Sequence, residues 1–132
     1  MRFRVLLADD TEVMRKAIAS MLYEEPNIEV VGEAANFSQA VQMVADLKPQ
    51  VLVLDLHLAK MELFPPALVK AQFSTVDHVL AISFATDGES RRLAQNYGAA
   101  VLLNKMHLYR DLVPAIKHDL GSHEVKRNAA TA

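Results

Sequence analysis

The stretch Val51–Asp55 reads VLVLD, the most apolar run of the chain, and it ends on a carboxylate. Its length and β-branched content are those of a strand buried on both faces. An unpaired charge in such a place costs on the order of several kcal/mol, so Asp55 either leaves the strand at its exit or is compensated there. Three other apolar runs end in the same way. FRVLLADD (3–10) delivers Asp9 and Asp10, HVLAIS (78–83) delivers Ser83, and AAVLLNK (99–105) delivers Lys105. In open parallel sheets the C-terminal edge of the strands is where ligands bind.

Segments of helical period separate these runs. Working outward, the spacing predicts strands at 3–8, 28–32, 51–54, 79–82 and 100–103. Helices are expected at 11–23, 37–47, 66–73, 86–96 and 108–120. Val13, Ile18, Met21 and Leu22 share a face of the first helix, and Val41, Val44 and Ala45 point inward from the second, with Ser38 as its N-cap. Pro65 and Pro66 either open the third helix or interrupt it. Gly98 closes the fourth. Five alternating βα units make an α/β fold, a doubly wound parallel sheet with helices on both faces. Right-handed crossovers bring every strand's C-terminus to one edge. Residues 1–120 form the domain; 121–132 is a polar tail or the start of a linker.

The chain has 132 residues, of which 52% are hydrophobic and 23% charged, with a net charge of −2. That suits one domain with a real core. It offers no basic excess for a nucleic-acid backbone, so contact with DNA or RNA by this chain alone is not expected. The absence of cysteine removes disulfides and thiolate chemistry. No stretch reads as a bilayer span or a signal peptide, which makes a cytoplasmic location the default. The methionines read as core filler, His78, His107, His118 and His123 as surface residues, and Tyr97 and Tyr109 as partly buried anchors.

Three carboxylates at one edge repel each other. Mg²⁺ relieves this, being a hard cation that takes oxygen ligands and keeps several waters. One carboxylate can then act as a nucleophile toward phosphorus, with Lys105 offsetting charge on the phosphoryl oxygens and Ser83 donating a hydrogen bond. Taken singly, Asp9–Asp10 reads equally well as a helix N-terminal cap, and Ser83 and Lys105 as ordinary strand-end residues.

The combination resembles the response-regulator receiver domain of two-component signalling. The matching pieces are LLADD (6–10) followed by Arg15, VVGEA (30–34), VLVLDLHL (51–58), LAIS (80–83) and LLNK (102–105). VVGEA and the helix after it are most like receivers of helix-turn-helix regulators. The resemblance covers about residues 3–120 and implies a flavodoxin-like sheet of order 2-1-3-4-5. It implies Asp55 as the phosphoacceptor, with Ser83 and Lys105 completing the catalytic set. The phosphate-binding set is Ser83, Phe84 and Lys105, and Mg²⁺ goes to Asp9, Asp10, Asp55 and the backbone carbonyl of His57. A sensor histidine kinase is the implied donor, and the face made by helices four and five allows a homodimer. No enzymatic activity is expected beyond Mg²⁺-dependent self-phosphorylation and dephosphorylation of Asp55. With no helix-turn-helix in the 132 residues, the chain is expected to be a stand-alone receiver or one cut from a longer regulator.

Five positions depart from the family pattern: Ala59 and Leu63 stand where Pro and Gly are usual, Phe84 where a small residue follows the hydroxyl, Leu102 where an aromatic precedes the lysine, and Met106 where Pro follows it. These keep a second class open, a pseudo-receiver that binds partners independently of phosphate. An aspartate-nucleophile phosphatase is disfavoured by His57, which stands where a second Asp is needed. A flavin or nucleotide binder is disfavoured by the acidic loop ADDTEVM (8–14).

Overall fold

The computed structural model describes residues 2–118. The elements alternate as read from the sequence: β1 (Phe3–Ala8), α1 (Glu12–Tyr23), β2 (Ile28–Ala34), α2 (Phe37–Leu47), β3 (Val51–Asp55), α3 (Pro66–Gln72), β4 (His78–Ser83), α4 (Gly88–Asn96) and β5 (Val101–Asn104). A final helix, α5, starts at Leu108 and is helical through His118. The end of the helix expected at 108–120, and the tail, lie outside the described residues. All strand pairs are parallel, in the order β2-β1-β3-β4-β5. This is the flavodoxin-like doubly wound sheet.

Two apolar layers account for the stack. Alternate residues of β3 face opposite ways, as the period of a strand requires. Leu52 and Leu54 join Phe37, Val44, Val69 and Phe73 under α2, α3 and α4, while Val51 and Val53 join Ile18, Leu22, Leu112 and Ile116 under α1 and α5. Phe37 meets Phe73 edge-on, ring centroids 5.8 Å apart at 84°. A strand covered on both sides has no polar face to show, hence the unbroken apolar run.

Several local expectations are corrected. Asn36, not Ser38, caps α2: its side chain accepts from the Gln39 N–H, and the Gln39 side-chain Oε1 accepts from Ala35 N–H. This is a variant of the reciprocal capping box. Pro66 opens α3 rather than breaking it. Asp87 caps α4, which therefore starts two residues later than expected. Val13 and Ala45 are exposed, and so is Tyr109, whereas Tyr97 and His78 are buried. Met61 fills core but Met106 is exposed. Among the described residues no helix is long and apolar enough to cross a membrane.

The loop after β3 holds no glycine, and Lys60 takes its left-handed turn at φ 70°, a conformation costing roughly 1–2 kcal/mol for a residue with a Cβ. Its surroundings hold it there. Phe37 N–H donates to the Ala59 carbonyl at 3.0 Å, Met61 N–H to the Leu58 carbonyl at 3.1 Å, and the Phe64 ring packs at a tilt of 44° on Phe37 with centroids 5.0 Å apart.

Candidate functional site

The strand ends converge as the topology requires. Asp55 closes β3, Ser83 closes β4, Asp9 follows β1, and Lys105 follows β5. Asp9, Asp55 and Ser83 are buried, and so is the Lys105 side chain. The Lys105 Nζ lies 2.8 Å from Asp9 Oδ2 and 3.4 Å from Asp55 Oδ1. One ammonium thus stands between two buried carboxylates, which leaves the trio with an excess negative charge.

Backbone groups fix the acids. His57 N–H donates to Asp55 Oδ1 at 3.1 Å, and Thr11 N–H to Asp9 Oδ1 at 2.9 Å. Thr11 is the N-cap of α1 but makes no side-chain cap, so the Asp9 carboxylate takes the turn. Burial raises the pKa of Asp55 above its ordinary 3.8; the His57 hydrogen bond and Lys105 pull it back, and the Asp9 charge adds to the rise. Ser83 Oγ accepts from Ala85 N–H at 3.1 Å.

A cavity of about 310 Å³ opens at this edge, lined by Asp10, Asp55, His57, Ser83, Phe84, Ala85 and Lys105. Asp10 and the His57 side chain are exposed at its rim. Phe84 is 61% exposed, and its ring centroid sits 5.3 Å from Lys105 Nζ. Met106, also exposed, follows the lysine. All the residues read from the sequence as site residues therefore meet at one place.

The donor set suits a hard divalent cation. Ligand atoms of Asp9, Asp10 and Asp55 all lie within 4.8 Å of one another. Asp9 Oδ2 is buried and close to Lys105, yet in no alignment that makes a hydrogen bond, so it keeps a lone pair for a ligand. Oxygen-only donors with nearby solvent fit Mg²⁺.

Sequence reasoning gave no role to two residues. Arg15 donates from Nη1 to the Asp9 carbonyl at 2.7 Å and pairs through Nε with Glu33 at 3.2 Å. Glu33 lies 18 positions from Arg15, and no local pattern links a helix residue to a neighbouring strand at that distance.

With this fold and site in view, the family can be stated. The model of the response regulator receiver domain matches residues 5–117, and the chain belongs to that family. Among curated proteins it is similar to protein-glutamate methylesterase/protein-glutamine glutaminase 2 of Cereibacter sphaeroides, 34% identical over 121 residues, 90% of this chain and 33% of that protein. It is also similar to the transcriptional regulatory protein LiaR of Bacillus subtilis, 42% identical over 59 residues, 45% of this chain and 28% of that one. Among solved structures the signal receiver domain of NarL from Mycobacterium tuberculosis superposes with a TM-score of 0.78 at 26% identity, covering 89% of this chain and 94% of that one. The chain spans a third or less of the length of both curated relatives.

These relatives correct one expectation. The sequence alone suggests no enzyme, only Mg²⁺-dependent self-phosphorylation and dephosphorylation of Asp55. The methylesterase/glutaminase relatives are enzymes, and the segment shared with them is their receiver part. A receiver of this type thus belongs to enzymes as well as to transcriptional regulators.

Proposed function

We propose that Asp55 accepts a phosphoryl group from a sensor histidine kinase, and that this changes the protein's contacts with its partners. A carboxylate oxygen of Asp55 attacks the phosphorus of a phosphohistidine. The new P–O bond forms as the P–N bond breaks, and the imidazole leaves with the electron pair and takes a proton from solvent. Asp9, Asp10 and Asp55, with the His57 carbonyl, hold Mg²⁺. Bound there, the ion supplies positive charge that offsets the charge of the phosphoryl oxygens. Lys105 offers a second cation and Ser83 a hydroxyl donor to those oxygens, with the Phe84 backbone beside them. The observation that carries this reading is one buried ammonium set between two buried carboxylates at the open edge of the sheet.

The reading extends to a receiver unit of residues 1–120 followed by a tail or linker at 121–132, working in the cytoplasm. A homodimer through the α4 to α5 face is part of it.

Intact mass after incubation with acetyl phosphate and Mg²⁺ tests it. The parent is expected to gain one phosphoryl group and Asp55→Asn none. A second reading, the phosphate-independent pseudo-receiver, is favoured by the Phe84 ring over Lys105. It would gain if the parent took up neither phosphoryl group nor beryllofluoride while still binding Mg²⁺.

A further inference from the structure

We propose that Arg15 is a positioning residue for the acid pocket, and that the bulge in β2 aims Glu33 so that Arg15 can do this. The inference rests on the reading that Asp9, Asp10 and Asp55 hold a divalent cation.

The pairing of β1 with β2 slips by one residue: Val5 faces Val30, but Leu6 faces Gly32, so Val31 is the extra residue. A one-residue slip turns every later side chain to the other face of the sheet. The turn is visible in the packing. Ile28 and Val30 pack with the α1 and α5 layer, whereas Ala34 packs with the α2 layer. Their separation is even, so without the bulge all three would share a face. Gly32 points the same way as Ala34: a Cβ there would lie 3.0 Å from Leu47 Cδ1 of α2 and 3.2 Å from Leu6 Cδ1. Glu33, between the two, is thereby turned toward α1.

On that side Arg15 is waiting. Its guanidinium uses two of its donors in different directions, Nε to Glu33 at 3.2 Å and Nη1 to the Asp9 carbonyl at 2.7 Å. The side chain is only 14% exposed. Glu33 also receives Lys16 at 3.1 Å, so two cations hold it in place. Asp9 N–H meanwhile donates to the Ala34 carbonyl at 3.0 Å. The backbone of Asp9 is thus gripped at its N–H by the end of β2 and at its carbonyl by Arg15 of α1, which Glu33 of β2 holds in turn. That sets the origin of a carboxylate whose Oδ1 takes Thr11 N–H and whose Oδ2 faces Lys105. Partners that orient metal ligands typically change affinity by about 10–100-fold when removed.

The test compares the parent with Arg15→Ala, Arg15→Lys and Lys117→Ala, the last breaking the remote Lys117–Glu25 pair. Mg²⁺ affinity is measured by calorimetry, and the exchange of the Thr11 amide by NMR without metal. Arg15→Ala is expected to weaken Mg²⁺ binding about tenfold and to speed Thr11 exchange, while the amides of β3 exchange as before. Lys117→Ala is expected to change neither. Arg15→Lys should recover only part of the affinity, because one ammonium cannot reproduce a two-directional fork. An unchanged Thr11 exchange rate in Arg15→Ala would overturn the proposal, as would full recovery by Lys or an exchange rate raised equally throughout the sheet. If the parent binds no Mg²⁺, the metal reading fails, and the amide exchange still decides whether Arg15 positions Asp9.

Discussion

The floor of the pocket and its lip obey different rules. The floor consists of Asp9, Asp55, Ser83 and Lys105, each at or next to the end of a strand and each with a buried side chain. The lip consists of Phe84, Met106 and the loop after β3, where Phe84, Met106 and Leu63 are exposed although Leu56, Leu58 and Met61 anchor the loop in the core. Sheet geometry dictates the floor, because parallel strands of one hand of crossover leave no choice of edge. The lip is set by loops, which accept substitution as long as their backbone is satisfied. The family departures noted in the sequence fall on the lip and on β5, and the charged floor is complete. Electrostatic strain is concentrated in the floor, where two acids share one lysine.

The largest effect expected from breaking this contrast is that of Lys105→Ala. It leaves Asp9 and Asp55 buried together without counter-charge, and loss of one partner from a buried pair costs about 3–5 kcal/mol. Urea unfolding near neutral pH would show the loss directly, and lowering the pH should recover part of it as the acids protonate. A loss no greater than that of an exposed substitution would mean that water reaches the floor and that the contrast is weaker than the burial suggests.

Asp55→Asn should move stability in the opposite direction. It removes one of two acids, leaves Lys105 paired with Asp9, and keeps an oxygen for the His57 N–H. The sign of the pH dependence follows from the raised pKa of Asp55. The native state holds this proton at pH values where the unfolded chain has released it. Stability therefore declines as pH rises from about 4 through the raised value, and levels off above it. The variant lacks this contribution. Thermal melts of both proteins at steps between about pH 4 and 7 should diverge as pH rises, with the variant the more stable. Parallel curves would show that Asp55 is not desolvated enough to matter.

Much of the floor was legible because the signal was one-dimensional: an apolar run, then a polar residue. VLVLD needs no knowledge of its neighbours to be read as a buried strand with a charged exit. The errors fall where a neighbour decides. β2 was ended at Gly32, but it runs to Ala34 through a bulge, and a bulge has no local pattern when it is fixed by the strand beside it. Gly32 could be read equally well as a stop. His78 reads as surface by type, yet it opens a strand buried along its whole length. Val13 and Ala45 share the helical period of core residues but fall just beyond the face that reaches the sheet, and period alone does not locate that face. The Arg15 to Glu33 link depends on the bulge, so it was hidden for the same reason.

Phe84→Ala acts on the lip alone and is the smallest change expected. The ring lies 5.3 Å from the Lys105 ammonium but is 61% exposed, and a cation–aromatic contact in water is worth about 0.5–1 kcal/mol. The loss of stability should therefore stay at or below that range, since no core contact is lost and the two ion pairs of Lys105 remain. The effect on chemistry should be larger than the effect on folding. The ring stands beside Ser83 and Lys105 in the cavity that a phosphoryl donor must enter. Its removal should speed formation of the Asp55 adduct with acetyl phosphate, and Phe84→Leu, which keeps bulk without the ring, should fall between the two. If both variants matched the parent rate, the lip would place no restriction on the donor. The slow step would then lie in the floor, where Lys105 must turn from the acids to the incoming phosphate.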